Sequence, residues 1–265
     1  MSKTQLVGIL NITPDSFTGD GLYKDRDLVT AKIDELIEKG VDIIDIGAIS
    51  TRPNAVIPSA EEEISRFKDI IPSLKSCKAK ISIDSFHFET IRYLMDNVDI
   101  DWINDQSGGK DHRIVELIKD TDIKLAIMHN TGLPAGKNFI PEELDVTLVV
   151  KEWFLDKIAY LRDVGIRDEQ IILDPGIGFG KTADQSWKII RDAASFVELG
   201  IPLLYGHSRK SFFNNITSLD FSQRDLETVI VSYHLADSGV SFLRIHDVDF
   251  HFRMLKVRAQ IRGEV

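Results

Sequence analysis

Short apolar runs recur along this chain, and between them apolar positions repeat every three or four residues. Eight runs stand out: VGILN (Val7–Asn11), IIDIG (Ile43–Gly47), ISIDS (Ile81–Ser85), WINDQ (Trp102–Gln106), LAIMH (Leu125–His129), IILDP (Ile171–Pro175), PLLYG (Pro202–Gly206) and FLRIH (Phe242–His246). Each reads as a strand, and a helical pattern follows each one. Asp27 is placed to cap a helix carrying Val29, Ile33, Leu36 and Ile37, with Gly40 past its end. Ser59 and Glu62 have capping-box spacing ahead of Ile64, Phe67, Ile70 and Ile71. Ile91, Leu94 and Met95 mark the third helix, and Ile114, Leu117 and Ile118 the fourth. The fifth runs from Val146 to Asp163. Trp187, Ile190 and Phe196 belong to the sixth, Val229, Tyr233 and Leu235 to the seventh. A final segment carrying Phe250, Met254, Val257 and Ile261 is expected to close the ring. Eight strand-then-helix units predict an α/β fold, a (β/α)8 TIM barrel, in one domain spanning residues 1–265.

That fold gathers what the sequence scatters, because residues ending its strands point into one shared mouth. Asn11, Asp45, Asp84, Asn104, Asp105, His129, Asp174, Arg244 and His246 are expected to converge there. Three connections are longer than packing requires: Thr13–Arg26, Ala48–Ala60 and Asn130–Leu144. All three are expected at the C-terminal face, and the first two, rich in polar, Gly and Pro residues, are expected to be mobile covers over the mouth.

Composition narrows the chemistry. A net charge of −10 leaves no basic stripe for a nucleic acid, although a local cluster of cations still suits a small anion. A single cysteine, Cys77, excludes an intramolecular disulfide framework and fits a reducing compartment. The N-terminus enters a strand without a signal-peptide core, and no apolar run approaches the ~20 residues that cross a bilayer. The expectation is a cytoplasmic protein that binds no membrane.

Three motifs carry candidate chemistry. DPGIGFGKT (Asp174–Thr182) ends like a nucleotide-binding loop, but Pro175 stands where that pattern needs a glycine. A strand ending in Asp174, then glycines that let backbone approach a flat ligand, is the better reading. GHSRKS (Gly206–Ser211) brings Arg209 and Lys210 after the seventh strand, and RIHDV (Arg244–Val248) ends the eighth. Those two loops form the usual phosphate corner of the barrel. Asp84, Asn104 and Asp174 supply carboxylate and amide groups for a heterocycle. No HExxH or CxxC spacing occurs, which argues against zinc.

GILNITPDSF (Gly8–Phe17), DIGAISTRP (Asp45–Pro53), ISIDS, INDQSGG (Ile103–Gly109), MH (Met128–His129), DPGIGFGKT, GHSRKS and RIHDV together resemble the dihydropteroate synthase family, in order, from Val7 to Val248. The resemblance implies condensation of 4-aminobenzoate with (7,8-dihydropterin-6-yl)methyl diphosphate. The products are 7,8-dihydropteroate and diphosphate, formed by an SN1-like step in folate biosynthesis and inhibited by sulfonamides. It implies Mg²⁺ as cofactor, held at Asn11 and mostly by diphosphate and water, and a homodimer. It assigns pterin binding to Asp84, Asn104, Met128, Asp174, Phe179, Gly206, Lys210 and Arg244. Diphosphate falls to Asn11, Thr51, Arg244 and His246. Aminobenzoate falls to Phe17, Thr51, Arg52, Pro53, Lys210 and Ser211. Lys210, Arg244, Asp84 and Asp174 carry catalysis. The chain departs from the family at Ala48, Ile49 and Asn54 in the second loop and at Asp20 in the first. Two alternatives share the pterin-reading residues: a pterin-binding methyltransferase domain, which has no need of the cationic motifs, and a non-catalytic pterin-binding paralogue.

Overall fold

The computed structural model describes residues 4–13, 26–51, 55–136 and 138–264. Phe17, Asp20, Arg52, Pro53 and Asn54 therefore lie outside the described residues. Eight parallel strands form one sheet: β1 (Gln5–Asn11), β2 (Ile43–Gly47), β3 (Lys80–Asp84), β4 (Trp102–Asp105), β5 (Lys124–Met128), β6 (Ile171–Asp174), β7 (Leu204–Tyr205) and β8 (Phe242–Ile245). Their order is β6-β5-β4-β3-β2-β1-β8-β7. A parallel bridge between Leu173 and Leu203 joins the two ends, and Leu173 N donates to Pro202 O at 2.9 Å. The sheet thus closes into the (β/α)8 TIM barrel that the sequence predicts.

Side chains alternate along each strand, so one parity faces the barrel interior and the other faces the helices. The inward set begins with an apolar floor of Val7, Ile43, Trp102, Ala126, Ile172, Leu204 and Phe242, where the Trp102 and Phe242 rings meet edge-on at 4.5 Å. The outward set, including Leu6, Ile44, Ile46, Ile83, Ile103, Ile127, Leu173 and Ile245, forms the main core beneath the helices.

The outer layer comprises α1 (Arg26–Glu38), α2 (Ala60–Lys68), α3 (Ile71–Ser76), α4 (Phe88–Met95), α5 (His112–Ile118), α6 (Val146–Asp163), α7 (Ala183–Arg191), α8 (Ala193–Val197), α9 (Asp225–Asp237) and α10 (Val248–Arg262). The Ser59–Glu62 capping box forms as predicted, and α6 has the predicted limits. Asp27 lies inside the first turn of α1. The predicted second helix is two, because Pro72 at the start of α3 cannot continue α2. The sixth divides at Asp192, which ends α7 and begins α8.

The last helix differs most from expectation. Phe250, Val257 and Ile261 are exposed, and α10 instead buries Val248, His251 and Arg258. In α9 the predicted Leu235 is buried and Val229 and Tyr233 are half-buried, while Thr228, Val231, Ser232 and Ala236 join the buried face and Leu226 and Ile230 are exposed. Polar groups are tolerated inside because they satisfy one another. The Ser232 hydroxyl lies 2.7 Å from His207 Nε2 and 2.9 Å from His251 Nε2, and Thr228 donates to Arg224 O at 2.7 Å.

The loop after β5 is not free-standing either. Asn130 Nδ2 donates to Gln106 O at 2.8 Å, Ala135 N to Thr51 O at 3.1 Å and Ile140 N to Gly180 O at 2.9 Å. Two backbone hydrogen bonds and one from the Asn130 side chain tie it to the loops after β4 and β2 and to the glycine-rich turn.

Candidate active site

The parity that lays the apolar floor also builds the mouth. Counting two residues onward from the floor gives Ile9, Asp45, Asn104, Met128, Asp174, Gly206 and Arg244, and two further on come Asn11, Gly47 and His246; β3 carries Ser82 and Asp84 with the same parity. Register places Asn11 beside Gly47, Gly47 beside Asp84, Asp84 beside Asn104, and Met128 beside Asp174. Asp105 has the opposite parity. It is turned outward, where its carboxylate accepts from Ser107 N at 2.7 Å and Gly109 N at 2.9 Å. The expectation that it joins the mouth fails, since neighbouring residues of a strand cannot share a face.

A buried polar network organises the mouth. Arg244 on β8 donates Nε to Asp45 and Nη2 to Asp84, the latter at 2.7 Å. Asp45 also accepts from Ser82 Oγ and, at 3.1 Å, from Asn104 Nδ2. Gln106 donates Nε2 to both Asp84 oxygens, at 2.7 and 2.8 Å, and accepts from Thr51 Oγ1 at 2.6 Å. Thr51 thereby reaches the site through Gln106. Asp45 and Gln106, to which the motif roles assigned nothing, hold this network together.

The other half of the mouth is the glycine-rich turn after β6. Asp174 Oδ1 accepts from Gly176 N at 2.7 Å. At Gly176, φ is +66° and a Cβ would stand 2.0 Å from His129 O, so the turn presses against the end of β5 as only glycine allows. Lys181 stitches the same two segments from inside. Its buried Nζ donates to His129 O at 3.3 Å and Phe179 O at 3.0 Å and lies 2.8 Å from His129 Nδ1. His129 is therefore occupied by the scaffold. Lys210 arrives from the β7 loop, donates to Ile177 O at 2.7 Å and stands 4.6 Å from the centre of the Phe179 ring. Gly206 sits where three groups meet: a Cβ there would lie 3.7 Å from Asp174 Oδ2 and 3.9 Å from both Lys210 Nζ and Arg244 Cδ.

The remaining candidates lie at the rim. His246 Nδ1 is 2.8 Å from Ser208 Oγ, which links the β7 and β8 loops. Ser211 is exposed and lines a cleft of about 350 Å³ with Phe139, Gly178, Lys181 and Phe212. Arg209 does not join the mouth. Held at φ +58°, it is paired with Asp225 through two contacts of 2.7 Å.

Burial shapes the charges. Desolvation pushes the Asp84 carboxyl up, to about 7, against the pull of Arg244 and with the help of Asp45. Desolvation also raises Asp174, opposed by Lys210. It lowers Lys210 to about 8 and Lys181 to about 7, with Asp174 acting in the other direction on both. His129 falls to about 3 for the same reason and through Lys181, so it is neutral. The result is a pocket of hydrogen-bond acceptors with an ammonium and a guanidinium on one side. Such a pocket can read a flat heterocycle and balance a departing anion. Among the described residues no cluster of three His, Cys, Asp or Glu side chains could hold a metal ion. The Asn11 side chain, beside Gly47 and Asp84, forms no hydrogen bond among the described residues, so its oxygen has a lone pair to offer.

Comparison with known proteins agrees with this geometry. A family model described as pterin binding enzyme matches residues 7–246. A dihydropteroate synthase of Clostridium beijerinckii is 36% identical over 96% of this chain and 93% of its own length. A folate synthesis bifunctional protein of Chlamydia caviae is 34% identical over 97% of this chain, which spans only 59% of that relative. Among solved structures, dihydropteroate synthase from Anaplasma phagocytophilum with bound 6-hydroxymethylpterin-monophosphate superimposes with a TM-score of 0.88. It is 33% identical, covering 98% of this chain and 99% of that one. The Yersinia pestis dihydropteroate synthase in a sulfonamide drug complex gives 0.91 at 27% identity, covering 98% and 95%.

Proposed function

The chain belongs to the pterin binding enzyme family, and from that premise we propose that it is a dihydropteroate synthase, an alkyl-transferring enzyme of folate synthesis. It joins 4-aminobenzoate to (7,8-dihydropterin-6-yl)methyl diphosphate and releases diphosphate. The observation that carries this reading is the meeting of Asp174, Lys210 and Arg244 around Gly206, with Arg244 bonded to Asp84 and Asp84 beside Asn104 in the sheet. Acceptors on one wall and cations on the other match a ring rich in N–H groups and an anionic leaving group.

In the reaction the C–O bond to diphosphate breaks and a C–N bond to the arylamine forms. The amine then loses a proton to solvent or to the released diphosphate. Asp84, Asn104 and Asp174 hold the ring, and the carboxylates stabilise positive charge that develops on it as diphosphate leaves. Lys210 and Arg244 flank the ring, and with His246 and Thr51 they offset charge on the diphosphate. Met128 and Phe179 line the ring pocket, while Ser211 meets the aminobenzoate carboxylate. The resemblance also gives Phe17, Arg52 and Pro53 to aminobenzoate, and these lie outside the described residues. No nucleophilic pair is needed, because the amine attacks unaided.

Magnesium fits this donor set. Asn11 would supply a single amide oxygen, leaving the other positions to diphosphate and water, as Mg²⁺ prefers. When bound, the ion neutralises charge on the leaving group. The exposed apolar stripes of α9 and α10 support a homodimer, and no described helix is long and apolar enough to cross a membrane. Sulfonamides are expected to compete with aminobenzoate, and the enzyme is expected to work in the cytoplasm.

Purified protein mixed with Mg²⁺, the pterin diphosphate and 4-aminobenzoate should form 7,8-dihydropteroate. Lys210→Ala should weaken pterin binding and lower turnover by at least ~100-fold. Pterin binding without product from the wild type would favour the non-catalytic paralogue.

A further inference from the structure

We propose that Asp45 is a positioning residue: it fixes which way the Asn104 amide faces and so selects the heterocycle that the mouth accepts. Asp45 is 0% exposed and lies one layer beneath the mouth, so it touches no ligand itself. Its carboxylate takes three donors from three other strands: Ser82 Oγ on β3, Asn104 Nδ2 on β4 and Arg244 Nε on β8. A guanidinium only donates. Asp45 Oδ2, shared by Arg244 and Asn104, must therefore act as an acceptor, and Asn104 can face it only with its NH₂ group. The Asn104 Oδ1 is left for the mouth, and it accepts nothing among the described residues.

With Asn104 set this way and Asp84 ionised, the buried wall presents acceptors only: Asn104 Oδ1, the Asp84 carboxylate and Asp174 Oδ2. A ring edge made of N–H and NH₂ groups satisfies all of them. An edge carrying an oxo group in place of the amine leaves two acceptors face to face, which costs far more than a merely missing contact. Without Asp45 the amide can turn over, and the wall loses its single polarity. This inference rests on the proposed pterin function, whose failure can be told apart from its own.

The test is titration calorimetry with 6-hydroxymethylpterin monophosphate and its lumazine counterpart, in which an exocyclic oxo group replaces the amine. The wild type should prefer the pterin by at least ~10-fold. In Asp45→Ala the preference should fall below about threefold, chiefly through weaker pterin binding. Asp45→Asn should keep it: its oxygen still serves Arg244 and Asn104, while its NH₂ turns to the Ser82 hydroxyl, which can accept. An undiminished preference in Asp45→Ala overturns the proposal, as does an equal collapse in Asp45→Asn. Asp45→Val, which fills the same space, serves if the alanine variant does not fold; unfolding of both assigns Asp45 a structural role and also overturns it. A wild type that binds neither ring defeats the functional reading instead. The positioning role then rests on the Asn104 side-chain amide protons, which should exchange slowly in the wild type and rapidly in Asp45→Ala. Equal exchange rates would overturn it.

Discussion

Lys210 is the residue whose environment makes the clearest demand on catalysis. Burial lowers its ammonium to about 8, only partly countered by Asp174, with Arg244 lowering it further. The free enzyme therefore holds the cation below that pH and loses it above. On the proposed function, kcat/KM for the pterin diphosphate should fall about tenfold per pH unit above roughly pH 8, since that ratio reports groups of the free enzyme. Lys210→Arg carries a charge that does not titrate in this range, and it should remain flat to at least pH 9. An unchanged fall in the arginine variant would point to Lys181, lowered to about 7, as the titrating group. At this scale the sequence was legible where a residue ends a strand with inward parity. Asp84, Asn104, Asp174 and Arg244 could be read that way because alternation alone decides their direction. Asp45, Gln106 and Lys181 were not assigned roles, because they act on other protein groups: Asp45 on Arg244, Gln106 on Asp84, Lys181 on His129. A lysine set within the glycine-rich turn, GFGKT, was the one available signal, and failure of the nucleotide-loop pattern left it without a partner.

Two glycines on neighbouring elements separate the needs of backbone from those of ligand. Gly176 begins the turn after β6 with φ +66°, and a Cβ there would strike His129 O at 2.0 Å. Gly176→Ala should lower Tm by at least about 5 °C, from a strained left-handed residue and a forced shift of the β5 end. Gly206 follows β7 in an ordinary conformation, and its added methyl would have no neighbour closer than 3.7 Å. Gly206→Ala should leave Tm within a degree or two and weaken pterin binding several-fold, because the methyl projects between Asp174, Lys210 and Arg244. Equal melting of Gly176→Ala and the wild type would remove the packing argument, and unaltered pterin binding by Gly206→Ala would place the ring elsewhere. Strand existence and order were legible from the eight apolar runs. Strand length was less so: β7 keeps two residues of the predicted five and closes the ring through the Leu173–Leu203 bridge. Periodicity shows that a helix has two faces without saying which one the barrel covers. For α9 and α10 the barrel side took Thr228, Ser232 and His251, whose hydrogen bonds cannot be read from spacing.

That inversion has a consequence for the whole molecule. Leu226 and Ile230 lie four apart on α9, Val257 and Ile261 four apart on α10, and the two helices pack against each other. Their exposed side chains, with Phe250, are apolar surface on two packed helices of a chain whose net charge of −10 otherwise favours solvation. A second copy of the same chain is the occupant proposed here, since a two-fold axis lets one such patch cover its own image. Light scattering should give twice 29.9 kDa at micromolar concentration. Because the association is driven by apolar area, it should survive high salt, whereas a contact built on charge would dissociate as screening rises. Placing carboxylates in the patch, Ile230→Glu with Ile261→Glu, should yield a monomer that still binds the pterin. Neither side chain enters the mouth, so its loss of mass should come without loss of the site. A monomeric wild type, or a double variant still at twice the mass, would leave these stripes without the proposed occupant.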